Sequence, residues 1–174
     1  MTQLPYENIM GRLIRLEADA QIRNLVSEYM HLCDDLSSPY ISEKIGDLFT
    51  EDAIWEGIGA LYKEKLGKYD GRNAIVSMMD TYIKHPPHFL MNVHFLNSQY
   101  IEIIDEQTAC GRWKMLQTST FNSNVSHLNC AELNITFSRI NDTWLISHFM
   151  TKNIFSRPVS FWHSEEDLQV PNKQ

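Results

Sequence analysis

The stretch EYMHLCDDLSS, residues 28–38, brings Tyr29, His31, Cys33, Asp34 and Asp35 close together on one segment. A carboxylate beside an imidazole can hold and move a proton, and a phenol can donate a hydrogen bond to a substrate oxygen. So many ionisable groups near the end of a core-packing helix mark either an ordinary polar helix end or the floor of a pocket. A second candidate, His94, sits in NVHFL between apolar neighbours. It reads either as a satisfied core group or as a proton-transfer group, since imidazole titrates near neutrality. In GRWKMLQ, alternation puts Trp113, Met115 and Gln117 on one face and Arg112 and Lys114 on the other. Trp113 and Met115 read as core or pocket wall. Gln117 continues their face with a polar group and is a candidate substrate contact, as is Asn97. His85 and His88 flank two prolines and lack a nearby carboxylate; they make a poor metal site, and no bound metal is expected. No nucleophile elbow, Walker loop, HExxH or CxxC is present.

The elements that must position these groups fall into two halves. Apolar residues recur at helical spacing from Ile9 to about Leu36, with Ile22, Leu25, Val26, Tyr29, Leu32, Cys33 and Leu36 in one stripe. Ser37, Ser38 and Pro39 stop that helix. At ~100° per residue, Asp34 points away from the Tyr29 stripe. It reaches a pocket only if the helix ends or unwinds near Cys33, and Asp34 and Asp35 remain interchangeable at this stage. YISEKIGDLF predicts a short helix, EDAIWEGIG a strand and LYKEKLGKY a polar excursion. Asp70 is the expected N-cap of a helix over RNAIVSMMDTYIK, which HPPH ends.

Four long strand-like runs follow: FLMNVHFLNSQYIEII, TACGRWKMLQTSTF, SHLNCAELNITFSRI and TWLISHFMTKNIF. Asp105-Glu106 and Asn141-Asp142 mark tight turns, and residues 122–124 a looser one. Helices first and an antiparallel meander after define an α+β domain, with the long strands curling into a cone that helices close. One domain over 1–174 is expected, with a core over 9–156 and a packing tail over 157–174.

The chain has 174 residues and a formal charge of −7. No basic stripe suits nucleic acid. Three dispersed cysteines form neither a disulfide framework nor a zinc site. No apolar run approaches a signal peptide or membrane span, and the expected setting is the cytoplasm.

The order of a helix ending in Tyr29 and Asp34, then LFTEDAIWEGIG, YDGRNAI, HFLNSQYIEIIDEQTACGRW and TFSRINDTWLISH resembles the SnoaL-like branch of the nuclear-transport-factor-two-like superfamily over about residues 9–156. Within that branch the sequence is similar to bile acid 7-alpha-dehydratases and scytalone dehydratases, and its WEGIG is similar to hexachlorocyclohexane dehydrochlorinases. The resemblance implies a cone-shaped fold with a His–Asp dyad, carried here by His94 and Asp34, and a substrate-orienting tyrosine, Tyr29. It departs at Gln117, where the bile acid dehydratase-like pattern has aspartate, and it lacks the second pocket histidine of the scytalone dehydratase-like pattern.

The activity implied is a cofactor-independent elimination or isomerisation, with no organic cofactor. An apolar cone lined by Trp55, Phe89 and Trp113 would suit a small hydrophobic ring compound. The other reading is a non-catalytic small-molecule-binding protein or a structural subunit like the beta chain of ring-hydroxylating dioxygenases. The resemblance also implies a homo-oligomer, a trimer first and a dimer next. Its interface is expected on the weakly charged outer sheet face and on the late aromatics Phe161 and Trp162.

Overall fold

The computed structural model of the chain describes residues 6–35, 40–83 and 86–160. Helix α1 (Tyr6–Asp34) precedes the short α2 (Ile41–Gly46), strand β1 (Phe49–Ile58), α3 (Gly59–Lys65), β2 (Lys68–Asp70) and α4 (Arg72–Ile83). Four long strands follow: β3 (Phe89–Ile103), β4 (Thr108–Phe121), β5 (Ser126–Ile140) and β6 (Thr143–Val159). They form one sheet in the order β2-β1-β6-β5-β4-β3. The meander β3–β6 is antiparallel, and β1 joins β6 in parallel.

Residue chemistry accounts for these joins. Asn141 and Asp142 both adopt positive φ, 48° and 65°, as a two-residue hairpin turn matched to sheet twist requires. Bulges at Asn97/Tyr100 in β3 and at Cys130/Ala131 and Thr136/Phe137 between β5 and β6 bend the long strands. The sheet therefore curls around the helices. It does not close into a barrel, because β2 and β3 remain as edges. Ile22 and Val26 of α1, Phe49 of β1, Ile75 of α4, and Leu133, Ile135, Phe137 and Ile146 of β5 and β6 pack as the core between helices and concave sheet face.

Three sequence expectations change. The polar excursion contains α3 and β2; its charged side chains are solvated, while Tyr62 and Leu66 turn inward against the core. Asp70 is the last residue of β2, paired with Lys68 at 2.8 Å; Gly71, at φ +89°, stands between it and α4, so Asp70 does not cap that helix. β6, the last strand in the sequence and internal to the sheet, runs through Val159 opposite Ser126, beyond the expected core boundary at 156. Lys84, His85, Phe161 and Trp162, and with them the packing tail from 161 on, lie outside the described residues.

Candidate active site

A cavity of about 630 Å³ opens between α1, α3, α4 and the concave sheet face. Its walls are mainly apolar. Trp55 stacks on Phe149, with ring centres 5.7 Å apart and planes 6° from parallel. Met30, Met78, Met79 and Met115 supply much of the remaining wall.

α1 delivers three groups to this space. Tyr29 is 4% exposed, and its hydroxyl accepts a 2.9 Å hydrogen bond from Trp55 Nε1. Cys33, one helical turn on, lines the same cavity. Burial holds the Tyr29 phenol well above its usual range and pushes the Cys33 thiol up to about 12. Neither group ionises near neutral pH, and Cys33 is an inert thiol.

Asp34 is the third. Its Oδ1 lies 2.6 Å from His94 Nδ1, and its Oδ2 accepts the His94 backbone N–H at 3.1 Å. The helix does not unwind at Cys33 to permit this. It continues through Asp34, and the Asp35 N–H still reaches the His31 carbonyl at 3.1 Å. The stripe read from the sequence was too narrow, because Met30 is buried as well. Asp34 stands one turn after Met30, at i+4 on the same side of the helix, and β3 packs against that side. The carboxylate facing His94 is thus Asp34's, and Asp35 is exposed.

A carboxylate only accepts hydrogen bonds, so Nδ1 carries the imidazole proton in the neutral ring. The Nε2 lone pair is then the free one. His94 lines the cavity with 11% of its side chain exposed.

Strand register extends the polar lining. His94 pairs with Gln117, Gln117 with Asn129, and Asn129 with Ser156, one row across β3, β4, β5 and β6. Asn92, two residues before His94, is buried and makes three side-chain hydrogen bonds. Its Nδ2 donates to the Cys33 carbonyl at 3.3 Å, and its Oδ1 accepts from Gln117 Nε2 and Ser119 Oγ, each at 2.8 Å.

Among the remaining sequence candidates, Trp55, Phe89 and Gln117 line the cavity. Trp113 does not; it is 2% exposed in the core, edge-on to Phe137. Its ring lies over Gly111, where a Cβ would come 2.4 Å from Cη2. The missing side chain at 111 lets the indole fold down into the core. Asn97 does not line the cavity either; it is exposed on the opposite face, beside the bulge at Ser98 (φ 51°), in register with Lys114.

His88 stands at the rim against Tyr82, Phe89 and Phe121, and desolvation there lowers its pKa from 6.5. His127 lines the cavity. His148 is on the outer face, 2.8 Å from Glu56. Sequence reasoning missed Asn92, Asn129 and Ser156. The alternation Asn92-His94 carried the first, and only strand register could supply the other two. Among the described residues no group of three His, Cys, Asp or Glu side chains is placed to hold a metal ion, and no helix is long and apolar enough to cross a membrane.

Helices closing one strongly curved mixed sheet over an open cavity define the cone-shaped class typified by nuclear transport factor two. Within it the chain belongs to the SnoaL-like domain family, whose model matches residues 14–150. Among solved structures, a type 2 hexachlorocyclohexane dehydrochlorinase superposes with a TM-score of 0.74 at 18% identity, covering 89% of this chain and 97% of that one. A Novosphingobium aromaticivorans chain assigned as a scytalone dehydratase gives 0.70 at 15% identity over 85% and 91%. A nuclear-transport-factor-two-like protein with a cystatin-like fold from the same species gives 0.67 at 20% over 88% and 92%. These identities speak to the fold. No curated protein matches the chain in sequence.

Proposed function

We propose that this cavity is the active site of a cofactor-independent lyase or isomerase acting on a small hydrophobic cyclic compound. The observation that carries this reading is the 2.6 Å contact between Asp34 and His94 Nδ1 at the wall of an apolar cavity of about 630 Å³. His94 Nε2 takes a proton from a ring carbon. The C–H electron pair becomes the new C=C bond, and a leaving group on the adjacent carbon departs with its own pair. In an isomerisation the pair moves along the ring system and His94 returns the proton to another carbon. Asp34 fixes the tautomer and stabilises the imidazolium formed on the way. Such a base contributes typically ~10²–10⁴-fold.

Tyr29 is the group that orients a substrate oxygen. Its phenol oxygen accepts from Trp55 Nε1, which leaves its own O–H to donate to the substrate oxygen. Trp55, Phe89 and Gln117 are the wall contacts. A purely structural subunit needs no open cavity of this size, which disfavours that alternative.

The test is proton exchange in deuterated water over a panel of cyclic ketones, together with elimination from cyclic β-hydroxy ketones and halides. The wild-type chain is expected to turn over at least one of them, and His94→Ala is expected to lose at least ~10² in rate. A His94→Ala protein at the wild-type rate overturns the assignment.

Assembly belongs to the same proposal. The outer sheet face exposes Phe95 (49%), Tyr100 (50%) and Ile154 (50%), the kind of apolar surface that copies of a chain cover. A trimer is the first choice and a dimer the next. Light scattering coupled to size exclusion should give the oligomer at micromolar concentration, and a monomer there rejects it.

A further inference from the structure

The solvent side of α1 carries a pattern that the fold of a single chain leaves unused. From Asn8 to Glu17 every residue is exposed, so the first turns of the helix bury nothing against the body. A short stretch of helix without cover is marginal in water. Yet this one is apolar: Ile9 is 49% exposed, Leu13 45% and Leu16 66%. With Ala20 these residues recur at spacings of four, three and four, the a and d positions of a heptad pattern. At ~100° per residue they face roughly opposite to Ala18, Ile22, Val26 and Tyr29, by which α1 packs on the core. One helix thus has two apolar sides, one filled by the body and one open.

Charge decides what covers the open side. In this pattern Arg12 takes a g position and Glu17 the next e position. Between parallel helices in register, a g residue meets the following e residue of its neighbour, so Arg12 of each copy reaches Glu17 of the other. Among the described residues neither side chain has a salt-bridge partner within its own chain. Asp19, the g residue that an antiparallel helix would offer to Arg12, is already bound by Arg23 of the same helix. The seam is therefore complementary to itself in one direction. Its charges have both signs, which a second helix matches and an anionic membrane surface does not.

We infer that the outward face of α1 joins this chain to a second copy of itself, helix beside helix, parallel and in register. Leu13 of one copy meets Leu13 of the other, and Leu16 meets Leu16. Each helix turns its other side to its own core, so the two bodies lie outside the seam. From Ile9 to Ala20 the seam is only ~17 Å long at ~1.5 Å per residue. It buries well under the ~800 Å² per partner of a standard interface, so the association is weak and rises with concentration. It is independent of the chemistry in the cavity, and it is separate from any contact through the outer sheet face, which lies on the far side of the molecule.

The experiment is disulfide trapping of the full chain at micromolar concentration, with Leu13→Cys, Gln21→Cys and the unaltered chain oxidised side by side. Position 13 lies on the seam; Gln21 is exposed but off it, and the native Cys33, Cys110 and Cys130 set the background. Leu13→Cys should give a covalent dimer, and the other two should not. Adding Arg12→Glu should raise the concentration that traps half the chain by at least about threefold, as reversing two exposed ion pairs gives. Arg12→Glu together with Glu17→Arg should restore it. Trapping at Leu13→Cys no better than at Gln21→Cys overturns the inference. So does trapping only between a Leu13→Cys copy and a Leu16→Cys copy, which means antiparallel helices, and so does indifference to the charge reversal. Adding Phe95→Lys, on the outer sheet face, should leave the trapping unchanged. Its loss there would mean that the copies meet through the sheet, and would overturn the inference as well.

Discussion

Replacing Asp34 by Asn keeps the size of the side chain and reverses one polarity. The carboxylate accepts twice from His94, from Nδ1 at 2.6 Å and from the backbone N–H at 3.1 Å. The Asn carbonyl can keep the backbone bond. Its amide then faces Nδ1 as a donor, so Nδ1 must become the acceptor and the ring proton moves to Nε2. The number of hydrogen bonds is unchanged. What is lost is the charge assistance of one of them, worth about 0.5–1.5 kcal/mol between charged and neutral bonds. At roughly 2–4 °C per kcal/mol for a chain of this size, Tm should fall by about 1–6 °C. The diagnostic readout is the imidazole itself. Long-range ¹⁵N–¹H correlation spectra above the histidine titration should show His94 protonated on Nδ1 in the wild type and on Nε2 in Asp34→Asn. With Nε2 occupied the ring has no base to offer the cavity, and any proton-abstraction rate should collapse while binding persists. A wild-type His94 protonated on Nε2, or a variant that keeps the wild-type tautomer, would refute the geometry on which the proposed chemistry depends.

Two further expectations test other parts of the molecule. Gly111→Ala places a Cβ 2.4 Å from the Trp113 ring; overpacking of this kind costs about 1–3 kcal/mol, a Tm drop of roughly 2–12 °C, and an unchanged Tm by calorimetry would mean that the indole is not held there. Desolvation at the rim lowers the pKa of His88 in the folded chain below 6.5, so the unfolded chain binds more protons and stability rises with pH. Tm should therefore climb between about pH 5 and 7, His88→Gln should flatten part of that slope, and an identical profile in the variant would exclude His88 as its source.

The fold was legible where local chemistry and burial agree. The four long strands carry strand-forming runs that alternate between their bulges, and Asn141-Asp142 sits where only a tight turn fits. The excursion after Gly59 was less legible. Its exposed Lys and Glu residues conceal the inward-facing Leu66 and Tyr62, so its helix could not be told from a loop. At the site, the residue types of His94, Asp34 and Tyr29 were visible early. The orientation of Asp34 was not, since it depends on β3 lying against α1 from a side on which the apolar stripe shows only Met30. Trp113 and Asn97 misled for different reasons: a neighbouring glycine let the first sink into the core, and the second, three residues after His94 in unbroken register, faces outward by the ordinary alternation of a strand. Gln117 and Asn129 meet only through strand register, which one sequence does not display.

The parallel join of β1 to β6 has a consequence for the order in which the molecule is made. β5 and β6 are joined by a two-residue turn and can pair as soon as both exist. β1 cannot pair with β6 that early; its Glu56 meets His148 across a separation of 92 residues. Closing so large a loop is the slow, non-local step of such a topology. During synthesis β1, carrying Phe49 and Trp55, leaves the ribosome long before the strand that covers it. Until β6 emerges, β1 has β2 on one edge and the helices beside it but nothing on its other edge, with Tyr29 already able to meet Phe49. A nascent chain stopped before Thr143 should expose these aromatics to chaperones and proteases, and one released after Val159 should not.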